Sequence, residues 1–431
     1  MSTNILNLTK VESQSILTDL TEFNLSEQLR SCILLLENKW VKKEIELDID
    51  DITNLGSGVG RIDGFVVMVP FALSGERVRA RVFRNQKNYA EADLLEVVKP
   101  SADRIEPKCA LFGVCGGCQY QHLSYGAQLR WKQKQIKDLM ERIGEIKDAK
   151  VEPTHPSPEI FGYRSKLTPH YERPRRDGEM PIGFIMQGRR NVIVDVPQCP
   201  IASKAINEAM PAIRDEIKSR ANTFKRGGTI LLRDTLQGVI TDNRQIASEK
   251  VGGLILKFVA GEFFQNNPFI LPELLDFTIG EAKGSKYLVD AYCGVGGFAL
   301  WGAKHFEKVM GVEISENSIL CARENAKANN VSNCEFISGK AEKIFAEIPF
   351  KGEETSMVID PPRAGCDEAF LEQLVAFSPK KLVYVSCGPD TQARDLKYLV
   401  AKGYKILKLQ PFDLFPQTRH IENVAVLEKV G

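Results

Sequence analysis

The sequence predicts an α/β protein: a parallel β-sheet covered on both faces by helices, preceded by a small β-barrel. Three observations predict it. Residues 271–431 alternate short apolar runs with helix-like segments, and strands of that kind are buried on both faces. The first of those runs ends in a glycine-rich turn, Asp290-Ala-Tyr-Cys-Gly-Val-Gly-Gly297. Between residues 42 and 99, short strands are separated by glycine turns at the spacing of a small barrel.

In the sheet region the strand-like runs are Tyr287–Tyr292, Val309–Ile314, Cys334–Ile337, Ser356–Ile359 and Leu382–Ser386, with two more at Tyr404–Gln410 and Val424–Lys429. In the barrel region, Lys42–Asp50 alternates charged and apolar residues. A turn follows at Leu55–Gly60, then strands at Arg61–Pro70, Glu76–Arg84 and Ala90–Val98. Arg77, Arg79 and Arg81 share one face of a strand, and Arg84 and Lys87 extend the stripe. Two readings stay open for it: a solvated strand face, or an RNA-backbone surface on an OB-like barrel.

The 431 residues suit two or three domains of about 100–200 residues each. The expected division is an N-terminal extension (1–38), the barrel (39–99), a central domain (100–270) and the sheet domain (271–431). The extension carries a helical stretch over Ile16–Leu36, with Ser26 as a candidate N-cap. The central domain opens with cysteines and an amphipathic helix marked by Leu129, Ile136, Leu139, Met140 and Ile143.

The formal net charge is +1 and hydrophobic residues make up 43%, so composition alone announces no nucleic-acid binder. No apolar run approaches the ~18 residues of a membrane helix, and no secretory leader pattern is present. A cytoplasmic protein with no membrane partner and no evident obligate protein partner is expected. Ten cysteines in a reducing compartment point to metal ligation or catalysis rather than disulfides.

Glycines at a strand-to-helix turn let a cofactor approach the backbone, and Glu313, ending the next strand, suits a ribose diol. Gly294, Gly296 and Ala299 also satisfy a dinucleotide pattern, so NAD is a rival at this point. The fourth strand ends in Asp360-Pro361-Pro362, a mark of base-modifying methyltransferases, which favours S-adenosylmethionine. Cys293, beside the glycines, reads as a packing cysteine. Cys387 ends the fifth strand, at the sheet edge where ligands bind. A helix beginning at Pro389 should lower its thiol pKa and free a thiolate nucleophile. His420-Ile421-Glu422-Asn423 offers Glu422 as a base with His420 as its neighbour.

Five motifs occur together: Phe263-Phe264-Gln265-Asn266-Asn267, Asp290-Ala-Tyr-Cys-Gly-Val-Gly, Asp360-Pro-Pro-Arg-Ala-Gly365, Ser386-Cys387-x-Pro389 with Ala393-Arg394-Asp395, and Phe415-Pro416-x-Thr418-x-His420-x-Glu422. Over residues 40–431 the chain resembles the bacterial RNA 5-methyluridine methyltransferases, in the iron–sulfur branch with an N-terminal TRAM domain. The resemblance implies a class I S-adenosylmethionine-dependent methyltransferase fold, Rossmann-like, with a seven-strand sheet and an antiparallel last strand. It implies that Gln265, Tyr292, Glu313 and Asp360 bind S-adenosylmethionine. Cys387 would be the nucleophile attacking uracil C6 and Glu422 the acceptor of the C5 proton. Ribosomal RNA is favoured over tRNA as substrate. Two positions depart from the family: Gly388 replaces the usual Asn, and Lys340 stands where an acid or amide is common near the adenine.

Cys109-x5-Cys115-x2-Cys118 with the distant Cys199 resembles ferredoxin spacings; zinc is the alternative. The family resemblance implies a structural [4Fe–4S] cluster there. The x5 and x2 spacing differs from the x3 and x2 of radical S-adenosylmethionine enzymes. Between Phe161 and Arg190, seven basic and three acidic residues are interleaved with Phe161, Tyr163, Tyr171 and Phe184. Cations there would contact phosphates and aromatics would stack on bases; an ordinary charged sheet edge is the alternative. Two other functions remain: a C5-cytosine RNA methyltransferase, disfavoured by Arg363 after Pro362, and a non-catalytic RNA-binding protein on a methyltransferase fold.

Overall fold

The computed structural model describes residues 44–174, 178–339 and 345–430. The extension 1–38 with its expected helix, Arg175, Arg176 and Lys340 lie outside the described residues.

Five strands close the barrel: β1 (Glu44–Ile52), β2 (Ser57–Ile62), β3 (Phe65–Pro70), β4 (Arg77–Asn85) and β5 (Tyr89–Lys99), in the order β1-β2-β3-β5-β4. The stretch Arg61–Pro70, expected as one strand, is the turn and second arm of a hairpin. Asp63 and Gly64 carry φ of 50° and 81°, both left-handed, as a two-residue type I′ turn requires. β2 begins inside the expected glycine turn because its glycines are needed for close approach. A Cβ on Gly58 would lie 2.7 Å from the Ala72 carbonyl oxygen, and one on Gly60 would lie 2.5 Å from that of Asp48.

The arginine stripe on β4 is exposed but paired. Arg77 meets Asp48 at 3.0 Å, Arg79 meets Glu96 at 2.6 Å, Arg81 meets Asp93 at 3.5 Å and Arg84 meets Glu91 at 3.3 Å. The acids come from the neighbouring strands β1 and β5, so the stripe is a charge ladder and not a free cationic face. The barrel is fastened to the body by the buried Glu76. Its carboxylate accepts from Arg104, from Leu73 N and from Ser101 N.

The central region contains α1 (Tyr125–Arg142), strands β6 (Lys166–Leu167), β7 (His170–Tyr171), β8 (Ile182–Met186) and β9 (Arg189–Asp195), then α2 (Lys204–Ser219). Five strands follow: β10 (Gly228–Thr229), β11 (Leu232–Thr235), β12 (Gly238–Ile240), β13 (Ile246–Val251) and β14 (Leu254–Val259). The aromatics predicted to stack on RNA are largely structural. Tyr163 is fully buried and its hydroxyl donates to the Pro416 carbonyl at 3.0 Å. Tyr171 packs on Phe224, and both Tyr171 and Phe184 flank a local core.

The last region runs α3 (Leu271–Ala282), β15 (Tyr287–Ala291), α4 (Gly297–Gly302), β16 (Lys308–Glu313), α5 (Glu316–Ala328), β17 (Cys334–Ser338), β18 (Thr355–Ile359), α6 (Glu368–Phe377), β19 (Lys381–Ser386), α7 (Pro389–Ala401), β20 (Tyr404–Phe412) and β21 (Glu422–Lys429). The sheet order is β17-β16-β15-β18-β19-β21-β20. β15 to β19 are parallel to one another, and β21 is antiparallel to both its neighbours. Side chains alternate between two cores. Val358, Val383 and Val424 face α3, α4 and α5; Met357, Leu382 and Ala425 face α1, α6 and α7. Strand order reverses between β15 and β18, so their carboxyl ends diverge and open a crevice.

α1 is amphipathic as expected, with Ile136 and Met140 in the core, although Ile143 is exposed. Its buried face is partly polar, which the apolar periodicity did not reveal. Gln128, Lys132 and Gln135 are all buried, and Lys132 Nζ sits 2.6 Å from Asp413 Oδ1 with both side chains wholly enclosed. Removing the cation leaves a charged carboxylate in the interior. Lys132→Met should destabilise the protein by about 3–5 kcal/mol, read as a fall in the urea midpoint, and Lys132→Met/Asp413→Leu should recover most of it. A single variant as stable as the parent would contradict this.

Candidate active site

The crevice at the sheet's carboxyl edge is built by three strand ends. At the end of β15 the chain turns left-handed at Tyr292, Gly294 and Gly296, with φ of 64°, 52° and 89°. For a residue as large as Tyr292 that conformation is strained, and such strain concentrates at ligand sites. The turn brings the Gly294 amide onto Glu313, whose Oε2 accepts it at 3.1 Å while Oε1 accepts Ser315 N at 2.9 Å. Each carboxylate oxygen keeps a second lone pair, so a ribose diol fits this group. Asp290 closes the floor. Its Oδ2 accepts Ala299 N at 2.8 Å, but Oδ1 is buried with no partner. Burial pushes its carboxyl well above the usual range. Asp290 was not among the predicted cofactor residues; a buried acid closing an apolar strand was the available signal. Cys293 packs in the core as expected.

Gln265 lies half-buried in the Phe263–Asn267 segment. Its neighbours are pinned: Phe264 stacks on Phe258 at 4.2 Å, Arg233 donates to Asn266 Oδ1 and the Phe264 carbonyl, and Asn267 donates to Ser157 Oγ and the Leu414 carbonyl. Phe263 itself is exposed.

The candidate reacting groups meet through strand register. β19 and β21 pair antiparallel with Ser386 opposite Asn423, so the next step along each strand brings Cys387 and Glu422 alongside. Asp360 follows β18, the parallel neighbour of β19. Buried Gln392 and Asn423 lock this edge: Asn423 donates to Gln392 Oε1 at 2.7 Å, and Gln392 donates to the Tyr384 and Asn423 carbonyls. The loop after Asp360 is held by Asp395, which accepts Cys366 N at 2.9 Å and the Tyr384 hydroxyl at 2.8 Å.

Electrostatics here departs from expectation. α7 does begin at Pro389, yet Cys387 is not a low-pKa thiol. Burial, then the charges of Glu422 and Asp360, push it up to about 11, with Arg363 opposing them. Burial raises Asp360 to about 7. Glu422 is pushed well above the ordinary carboxylate range by burial and by Asp360, and its Oε1 is buried without a partner. His420 is depressed to about 4 by burial and by the charge of Arg363, so it is neutral at physiological pH. Its Nδ1 lies 3.4 Å from Arg363 Nη2. Arg363, read from sequence only as an argument against other methyltransferase classes, is therefore the cation of this site.

Gly388 has a reason in this geometry. A Cβ there would lie 2.8 Å from the Arg363 carbonyl oxygen and 2.9 Å from Thr391 Oγ1. The Arg363 turn occupies the space that a side chain would need. Thr391 Oγ1 lies 2.9 Å from both the Arg363 and Gly388 carbonyls, and its single hydrogen is shared between them.

The four predicted metal-ligand cysteines gather beside the site. Cys118 is pushed up to about 12 by burial, with Cys199, Cys115 and Cys109 adding to it. Cys199 is pushed up to about 11, again mainly by burial. Amide donors face the sulfurs: Gly117 toward Cys115, and Ile201 and Ala202 toward Cys199. Four partly buried thiols near one another with N–H donors are a donor set suited to an iron–sulfur cluster. Among the described residues, no group of three or more His, Cys, Asp or Glu side chains is already arranged to hold a metal ion. No described helix is long and apolar enough to cross a membrane.

Residues 235–430 match the family model described as tRNA (Uracil-5-)-methyltransferase, and residues 39–95 match the TRAM domain. The tRNA (uracil(54)-C(5))-methyltransferase of Schizosaccharomyces pombe is 46% identical over 415 residues, covering 90% of this chain and 79% of that protein. The enzyme of the same description from Saccharomyces cerevisiae is 33% identical over 512 residues, covering 99% and 80%. An uncharacterized RNA methyltransferase of Halalkalibacterium halodurans is 36% identical over 445 residues, covering 89% and 96%. Among solved structures, Pyrococcus abyssi tRNA (uracil-54, C5)-methyltransferase in complex with S-adenosyl-L-homocysteine superposes with a TM-score of 0.69 at 26% identity, covering 89% of this chain and all of that one.

Alkylation of Cys387, followed on its own peptide by mass spectrometry, should rise with pH toward a midpoint near the value of about 11 set by its surroundings. Glu422→Gln removes a negative neighbour and should move the midpoint down. Arg363→Met removes the stabilising cation and should move it up. A midpoint at or below that of an ordinary thiol, or unchanged in both variants, would overturn this account of the site.

Proposed function

The chain belongs to the RNA uracil-C5 methyltransferase family, and on that premise we propose that it methylates C5 of a uridine in tRNA, at the position numbered 54, through a covalent adduct on Cys387. It is an S-adenosylmethionine-dependent RNA methyltransferase with a TRAM domain. The observation that carries the covalent route is the register that sets Cys387 beside Glu422 with Asp360 on the adjoining strand.

C5 of uracil is a poor nucleophile. The Cys387 thiol gives up its proton to solvent, its sulfur forms a bond to C6, and the electron pair of the C5–C6 double bond moves toward C5 and O4. S-adenosylmethionine would supply the electrophilic methyl to C5 and leave as S-adenosylhomocysteine. Glu422 then takes the C5 proton, the double bond re-forms, and the sulfur–C6 bond breaks to return the thiolate. A raised Glu422 is a better match for that proton than an ordinary surface carboxylate. Gln265, Tyr292, Glu313 and Asp360 are the residues we assign to the cosubstrate, with Asp290 forming the floor beneath it. Its positive sulfonium suits a crevice rich in carboxylates.

The tRNA reading is supported by two fungal relatives and one archaeal structure bearing that description. Ribosomal RNA, the choice implied by the family resemblance, is the alternative. We also assign Cys109, Cys115, Cys118 and Cys199 as the residues that would hold a [4Fe–4S] cluster.

Cys387→Ala should abolish both methyl transfer and the denaturant-stable adduct with 5-fluorouridine RNA. Glu422→Gln should instead accumulate the methylated adduct. Full turnover by either variant would remove that residue from its role. Mapping 5-methyluridine in a deletion strain should show its loss from tRNA; loss from ribosomal RNA alone would reverse the substrate assignment. Anaerobically purified protein should be brown, with iron and acid-labile sulfide in equal amounts. Colourless protein carrying zinc would overturn the cluster.

A further inference from the structure

Two segments distant in sequence, the cysteine loop and the tail that leads into Glu422, are clamped together by glutamines. The Gln417 carbonyl accepts from both Gln119 N and Tyr120 N, each at 3.0 Å. The Gln119 side chain spans the same gap. Its Nε2 donates to the Gly116 carbonyl at 3.0 Å, and its Oε1 accepts Arg419 N at 3.2 Å. Behind it, the buried Gln128 donates to the Tyr120 carbonyl, the Leu123 carbonyl and Gln417 Oε1, and accepts Gln417 N at 3.0 Å. Gln417 is left-handed, with φ of 69°. A bend of that kind in a non-glycine residue is held by its surroundings, and here the surroundings are this clamp. Gly116 and Gln119 flank Cys118 and follow Cys115, so the fold of the cysteine loop is transmitted directly to Gln417 and Arg419.

We propose that Gln119 is a positioning residue for proton removal at C5. It fixes the tail at Arg419, three residues before Glu422, and thereby sets where Glu422 stands beside Cys387. The proposal rests on the reading of Glu422 as the base. Misplacing a reacting group by about 1 Å costs on the order of 100-fold in rate, so a single lost anchor should be visible. Gln119 is only half-buried, and its replacement spares the main-chain bonds of the clamp.

The test compares Gln119→Ala and Gln119→Glu in the full chain with Glu422→Gln. Gln119→Ala should lower kcat by about 10- to 100-fold while leaving KM for S-adenosylmethionine and the iron and sulfide content unchanged. It should accumulate the denaturant-stable RNA adduct, and the peptide spanning residues 415–421 should exchange its amide hydrogens faster. Gln119→Glu keeps the acceptor for Arg419 N and should restore most of the turnover. A Gln119→Ala variant with turnover within roughly twofold of the parent, or one that loses turnover without adduct or faster exchange, overturns the proposal. If Glu422→Gln itself accumulates no adduct, the base assignment has failed, and exchange in the 415–421 peptide alone decides whether Gln119 positions the tail.

Discussion

The antiparallel pairing of β21 with β19 is the constraint on which the reacting end of the molecule depends. In an all-parallel sheet every strand would reach the crevice with its carboxyl end. Here β21 enters at that edge with its first residue, Glu422, beside the last residues of β19. A one-residue slip would turn Glu422 to the opposite face. The register is therefore over-determined. Val424 and Val426 face one core, Ala425 and Leu427 the other, and Gln392 bridges Asn423 to the Tyr384 carbonyl.

The same crowding sets the electrostatics. Burial raises Cys387, Asp360 and Glu422 together, and the neighbouring carboxylates add to it at Cys387 and Glu422. A thiol held protonated is a slow nucleophile, but a carboxylate raised by the same neighbours is a stronger base. Arg363 is the counterweight, and the molecule goes to some length to place it. Gly388 clears room for its backbone, Thr391 fastens its carbonyl, and Asp395 braces the loop beyond it. The motif residues of α7 thus act on the Asp360–Gly365 turn rather than on a ligand.

Much of this was legible in the sequence. Every strand of the sheet was read from the sequence; the central ones stand out as apolar runs because they are buried on both faces, while the edge strands β17 and β20 are partly exposed. The crevice followed from glycines at one strand end and an acid at the next. Other features were not legible for specific reasons. The Asp63-Gly64 hairpin was hidden inside a long apolar stretch, although its dipeptide is a strong turn signal. The arginines of β4 looked free because their acidic partners sit on β1 and β5, which only pairing brings near. Tyr163 looked like a base-stacking aromatic because sequence cannot show that Pro416 covers it. The thiol of Cys387 was expected to be depressed by the start of α7; burial opposes that effect first, and the carboxylates that add to it come from two other parts of the sheet.

α1 shows most clearly why the site cannot be divided from its scaffold. Its buried face joins apolar Ile136 and Met140 to polar Gln128 and Lys132. The apolar part packs into the sheet core shared with α6 and α7. The polar part is costly to bury without partners; Gln135 and part of Gln128 find them on Thr53, Tyr120 and Leu123, while Lys132 and the rest of Gln128 find them on the segment from Asp413 to Gln417. That segment has no regular structure of its own, and it must carry the chain from β20 into Glu422. The share of the desolvation cost carried by Lys132 and Gln128 is offset when the tail takes this path. The helix face that packs on the sheet domain therefore also holds the segment that leads into Glu422, the residue assigned as proton acceptor.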